Sequence, residues 1–203
     1  MANPAAWMLF VDGENLTLRA QDLAKQKGLQ LDIDPVCYLR DVFVWFPIWR
    51  PTSELYYHRV FPLENSLGTR AYYYASVVGD VEKVTAVRRN LRALGFDPQV
   101  FKKPSGAAKS KGVDITLTKD MLSHAFQDHY DDAVLFAGDG DYVPLVEEVK
   151  RRGKRVYVGF FEGNGLGLSE DLRLAADLFV DLTGHFVKLW QDRIEALEKM
   201  KTK

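Results

Sequence analysis

Ala133-Val134-Leu135-Phe136-Ala137, followed at once by Gly138-Asp139-Gly140-Asp141, is the stretch on which the fold turns. Consecutive apolar residues, without the alternation of a half-exposed strand, predict a strand buried on both faces. The glycines permit a tight bend just beyond it and present two carboxylates there. Val143, Leu145, Val146 and Val149 then keep helical spacing as far as Gly153, so the unit reads strand, turn, helix. Trp7-Met8-Leu9-Phe10-Val11 opens a similar unit, stopping at Asp12-Gly13 and passing into a helix from about Asn15 to Lys27 that Gly28 closes.

Between these units the pattern continues. One or both of 55–61 and 71–78, where Tyr and Val concentrate, are expected to be strands, and 99–101 supplies another. Helices are expected from Asp34-Pro35 through Phe43, from Asp80 to Leu94, and from Gly112 to Phe126 along Val113, Ile115, Leu117, Leu122 and Phe126. Beyond Gly153 come a strand over 155–161, a glycine-rich loop, a short helix with Ser169 as N-cap, and a strand over 179–182. From Phe186 onward, Leu189, Trp190, Ile194 and Leu197 predict an amphipathic helix, with Trp190 on a docking or dimer face. Strands alternating with helices predict a three-layer α/β/α sandwich around a mostly parallel sheet.

Composition narrows the function. The 203 residues carry 27 Lys+Arg against 28 Asp+Glu, a net charge of −1, which excludes a uniformly basic nucleic-acid module. Cys37 is the single cysteine, so no internal disulfide is available and a reducing, cytoplasmic setting is expected. Charged residues interrupt every apolar run before it could span a membrane, and the N-terminus lacks the basic region of a signal peptide. His58, His124, His129 and His185 show no metal-ligand spacing.

Carboxylates are therefore the metal-ligating material. In open α/β sheets ligands bind at the carboxyl ends of the strands. Asp12, Asp139 and Asp141 stand at two such ends, and Asp114 lies in the first turn of a helix that can reach the same edge. Clustered carboxylates repel one another, and a hard cation, Mg²⁺ or Mn²⁺, removes that repulsion. Such an ion beside phosphate points to phosphodiester hydrolysis. Asn15, three residues after Asp12, could orient a carboxylate through its amide. Each residue alone has an ordinary explanation as a turn or cap; the expectation rests on their combination.

Phe10-Val11-Asp12-Gly13-Glu14-Asn15-Leu16, Lys111-Gly112-Val113-Asp114-Ile115 and Gly138-Asp139-Gly140-Asp141-Tyr142-Val143-Pro144-Leu145 resemble the signature segments of NYN-domain proteins, the LabA-like group within the PIN-like nuclease superfamily. Leu168-Ser169-Glu170-Asp171-Leu172 with Ala176-Asp177-Leu178-Phe179 is similar to that group's last segment. The resemblance implies a PIN-like, Rossmannoid domain over 1–183 with a helical extension over 184–203. It also implies RNA cleavage with Mg²⁺ or Mn²⁺ bound by Asp12, Asp114, Asp139 and Asp141. Asp120 matches a further acidic position of the motif, turned away from Asp114 by helix geometry and so supporting or capping. Ala137 and Gly140 stand where the family more often has serine, which removes two hydroxyls beside the carboxylates. The aromatic-rich stretch 44–66, with Pro47, Trp49 and Pro51, departs from the family pattern and reads as an insertion.

Lys102, Lys103, Lys109 and Lys111 flank a small-residue loop just before Asp114 and are expected to attract an RNA backbone, single-stranded in the first instance. The cations from Lys150 to Arg155 lie at a helix C-terminus and are expected to be structural. Gly163-Asn164-Gly165-Leu166-Gly167 lacks dinucleotide-binding spacing. The first reading is a metal-dependent endoribonuclease. The second is a non-catalytic RNA- or protein-binding regulatory module on the same fold, with a homodimer or protein partner meeting the C-terminal helix. Nothing in the sequence reads a 2′-hydroxyl, so DNA stays open as a substrate.

Overall fold

The computed structural model describes residues 5–45, 60–63, 66–104 and 111–201. Residues 55–59 of the expected strand and most of the aromatic insertion lie outside them. β1 (Ala6–Asp12), β4 (Leu67–Val78), β5 (Asp97–Lys103), β6 (Asp132–Phe136), β7 (Arg155–Phe160) and β8 (Leu178–Asp181) form one sheet in the order β5-β4-β1-β6-β7-β8. Every neighbouring pair is parallel. The chain winds outward from β1 to β5, returns to place β6 against β1, and winds outward again to β8. The reversal falls between β1 and β6, where such sheets open a crevice at their carboxyl ends.

Helices cover both faces. Trp7, Leu9 and Val11 of β1 point into a core roofed by α1 (Gly13–Gln26), α2 (Val81–Ala93) and a C-terminal helix, α6 (Thr183–Lys201). Met8 and Phe10 point the other way, against α3 (Lys111–Phe126), α4 (Val143–Arg151) and α5 (Glu170–Ala175). The alternation of a strand divides Tyr72-Tyr73-Tyr74 in the same manner, and all three are buried. Asp80 and Ser169 cap α2 and α5 with their side chains, and Gly28 takes the left-handed conformation after α1 at φ 66°.

Three expectations need correction. The helix from Asp34 to Phe43 is absent. Asp34 turns the chain by accepting a bond from the Val36 amide at 3.1 Å, and Tyr38–Leu39 (β2) pairs antiparallel with Phe43–Val44 (β3) around Asp41, whose φ is 58°. Val42, Phe43, Val44 and Trp45 are buried in succession, which no single helical face allows. In α3 the buried stripe is Val113, Leu117, Met121 and Ala125, while Ile115 and Phe126 face water and Arg152 lies 4.0 Å from the Phe126 ring centroid. Trp190 is core rather than a docking face, packed 5.6 Å from Phe186, which in turn meets Phe161 at 5.1 Å.

The first half of α6 thus belongs to the sandwich, and Arg193 bonds the buried Asp34 carboxylate at 2.5 Å. Among the described residues no helix is long and apolar enough to cross a membrane. Trp190→Ala should remove about 3–5 kcal/mol of stability, the usual effect of emptying a large aromatic site in a core. Urea denaturation followed by circular dichroism checks this, and an unchanged midpoint would place the helix outside the cooperative unit.

Candidate active site

Asp12 closes β1 and caps α1. Its Oδ1 accepts the Asn15 backbone N–H at 3.0 Å, and its Oδ2 accepts the Tyr142 hydroxyl at 3.0 Å. The same hydroxyl lies 3.2 Å from Oδ1 of Asp114, in the first turn of α3. Tyr142 ends the 3-10 turn Gly140–Tyr142 that leads from β6 into α4. One phenol therefore joins the three segments that carry the acidic motifs. A hydroxyl has a single proton, so it can serve only one of the two carboxylates at a time.

The remaining charge is felt as repulsion. Burial pushes the Asp12 carboxyl up to about 7, opposed by the Asn15 amide and reinforced by the negative charges of Asp114 and Glu14. Asp114 is also raised, first by lost hydration; the Tyr142 bond opposes this, and Asp139, Glu14 and Asp141 add to it. Asp139 and Asp141 share the field of this pair but remain exposed. Asp139 accepts the Asp141 amide at 3.1 Å and so caps its own turn.

Other expected residues take different positions. The Asn15 side chain accepts the Gly138 N–H at 3.0 Å, so it pins the loop after β6, while its backbone, not its amide group, holds Asp12. Asp120 accepts the Tyr74 hydroxyl at 3.2 Å and pairs with Lys119, bonding to none of the acidic group. Lys103 is buried and its ammonium pairs with Glu14 at 2.7 Å, so it is not a free cation for phosphate. Lys102 is exposed. Lys109 and the side chain of Lys111 lie outside the described residues. Space beside Gly140 is taken by the Ser169 hydroxyl, 2.8 Å from where a Cβ would lie, which returns one hydroxyl to the neighbourhood from another segment.

Sequence reasoning passed over Tyr142, Glu14 and Ser76. Glu14 stands inside the first motif, but its partners, Lys103 and the Ser76 hydroxyl at 2.9 Å, are brought by β5 and β4. Tyr142 directly follows Asp141, which was a signal of proximity though not of its bridging role.

The family model for the NYN domain matches residues 6–183. The chain belongs to the NYN-domain family. It is 27% identical over 187 residues to low amplitude and bright protein LabA of Synechococcus elongatus, covering 88% of this chain and 84% of that protein. A crystal structure of a protein of unknown function from Vibrio parahaemolyticus shares the fold with a TM-score of 0.57 at 20% identity, over 90% of this chain and 96% of the other. NYN domains fall within the PIN-like nuclease superfamily, whose members generally use divalent metals. NYN domains generally bind RNA.

Does this NYN domain offer such a metal a place? Among the described residues no three His, Cys, Asp or Glu side chains form a ready-made cage. Mg²⁺, however, is usually held by one or two carboxylates together with water and substrate phosphate. Asp12 and Asp114, turned toward one hydroxyl and short of positive charge, fit that donor set. Asp139 and Asp141 lie in the same field without converging on the same point.

Because the folded carboxyl of Asp12 is raised from 3.8 to about 7, the folded NYN domain binds a proton that the unfolded chain releases. Stability from this group is full below pH 3.8 and is lost as pH rises toward 7, with a slope of at most about 1.4 kcal/mol per pH unit. Thermal melts in EDTA across that window should show a steeper fall for the native protein than for Asp12→Asn. Parallel curves would contradict the raised carboxyl.

Proposed function

We propose that this protein is a Mg²⁺- or Mn²⁺-dependent ribonuclease of the cytoplasm, cutting single-stranded RNA endonucleolytically at the β1–β6 crevice. The reading is carried by the meeting of Asp12 and Asp114 on the Tyr142 hydroxyl, with Asp139 and Asp141 beside them. A bound divalent cation would neutralise the charge that develops on phosphate oxygens. Asp12 and Asp114 would hold it.

The protein's own groups prepare the place. Tyr142 keeps two carboxylates from different elements aimed together, and the Asn15 backbone N–H fixes the rotation of Asp12. Asn15 Oδ1 holds the Gly138 amide, which keeps Asp139 and Asp141 at the rim. Lys103 cancels the charge of Glu14, lowering the negative field an approaching phosphate must enter. Exposed Lys102 stands where the strand edge meets solvent and would attract the backbone.

Asp12→Asn and Asp139→Asn should each reduce Mn²⁺-dependent cleavage of a mixture of single-stranded and structured RNAs to the level seen with EDTA, with the circular dichroism spectrum unchanged. Cleavage equal to the native protein would remove those residues from the reaction. Calorimetric titration with Mn²⁺ should give heat for the native protein and little for Asp12→Asn. No heat with either would leave the non-catalytic binding module as the reading.

A further inference from the structure

A polymer laid across the β1–β6 crevice must continue over the ends of β4 and β5 on one flank or of β7 and β8 on the other. The two flanks differ in charge. Beyond β7 and β8 stand Glu162, Asp181, Glu170 and Asp171, and the nearby cations are engaged: Arg173 bonds Glu162 at 2.8 Å, and Arg19 bonds Asp22 and the Gly165 carbonyl. That flank repels phosphate.

Beyond β4 the surface sinks into a groove of about 380 Å³, within the roughly 300–1,000 Å³ typical of small-ligand sites. Its lining includes the Glu14–Lys103 pair, and Glu14 stands in the first turn of the helix that Asp12 caps, so the groove opens beside the acidic group. One wall carries Leu18 of α1 and Val78 of β4, left 45% and 37% exposed. The rim carries Arg40 and Lys83, both exposed. Glu14 and Lys103 cancel, and Asp41, 3.9 Å from Arg40 and bonded by Gln21, offsets only part of the remaining cationic charge.

We propose that this groove seats the nucleotide next to the scissile phosphate, so that a single-stranded RNA leaves the acidic centre over β4 and β5. Arg40 and Lys83 meet its phosphate, and Leu18 and Val78 cover the apolar face of its base. A groove of this size admits one unpaired nucleotide, and unpaired bases are free to leave a stack and enter it. The inference rests on the ribonuclease reading for its substrate class, and it adds a direction that the acidic group alone does not supply.

Binding in EDTA separates the two, because no cleavage is required. A short fluorescein-labelled oligouridylate is titrated with the full chain at low salt and followed by anisotropy. The Arg40→Ala/Lys83→Ala double variant should weaken binding by about tenfold and reduce the dependence of log K on log salt by about 1.4, two contacts at roughly 0.7 each. Leu18→Glu, on an exposed helix position, should weaken binding comparably, whereas Arg173→Ala on the opposite flank should bind as the native protein does. Thermal melts verify that each variant is folded. Groove variants that bind like the native protein overturn the inference, as does a loss confined to Arg173→Ala or a native protein that binds no oligouridylate. Metal-dependent cleavage by the native protein, abolished in Asp139→Asn, would in each of those cases leave the ribonuclease reading standing.

Discussion

The Tyr142 hydroxyl, shared between Asp12 and Asp114, is the contact on which the candidate site depends. It exists because β1 is enclosed. The strand is flanked by β4 and β6 and covered on both faces, so Trp7 to Val11 are buried in succession and a charge can enter only at its carboxyl end. Asp12 is that end, and at 3% exposure it is still beyond the reach of bulk water. A carboxylate in such a place needs donors or a proton, and the Asn15 backbone N–H and the Tyr142 phenol supply two bonds.

The surrounding charges follow from the same scarcity of water. Glu14 would add a further negative charge, and it is tolerated because Lys103 reaches it from β5 and Ser76 from β4. The pair also divides the sheet's carboxyl edge into regions of different character. Acidic groups gather over β1 and β6, engaged ions occupy the β7–β8 side, and Arg40 and Lys83, only partly offset by Asp41, rim the β4 side. Opposite fields placed side by side account for a net charge of −1 in a chain whose family generally binds RNA.

Glycines make the close approaches possible. A Cβ on Gly13 would strike the Tyr73 ring, and one on Gly138 would meet Phe160 and the Gly167 carbonyl. Both glycines sit directly beside the carboxylates, so the backbone can pass close to the core at the point where the acidic side chains must emerge.

The sequence by itself determined the fold class, the sheet's buried strands and the helix caps, because apolar runs, helical periodicity and capping residues are local signals. It misplaced what depends on distant partners. The segment from Asp34 to Phe43 has helical spacing, yet the packing of Phe43 and Trp45 into the core and the Arg193 bond to Asp34 make it a turn and a short ribbon. Trp190 looked like a surface because Phe161, which packs 6.5 Å from it, lies elsewhere in the chain. Only the tertiary structure decided that Lys103 answers Glu14, that Asp120 serves Tyr74, and that Tyr142 joins Asp12 to Asp114. Ion pairs and hydrogen bonds form over about 3 Å between residues far apart in sequence, and no periodicity along the chain encodes those distances.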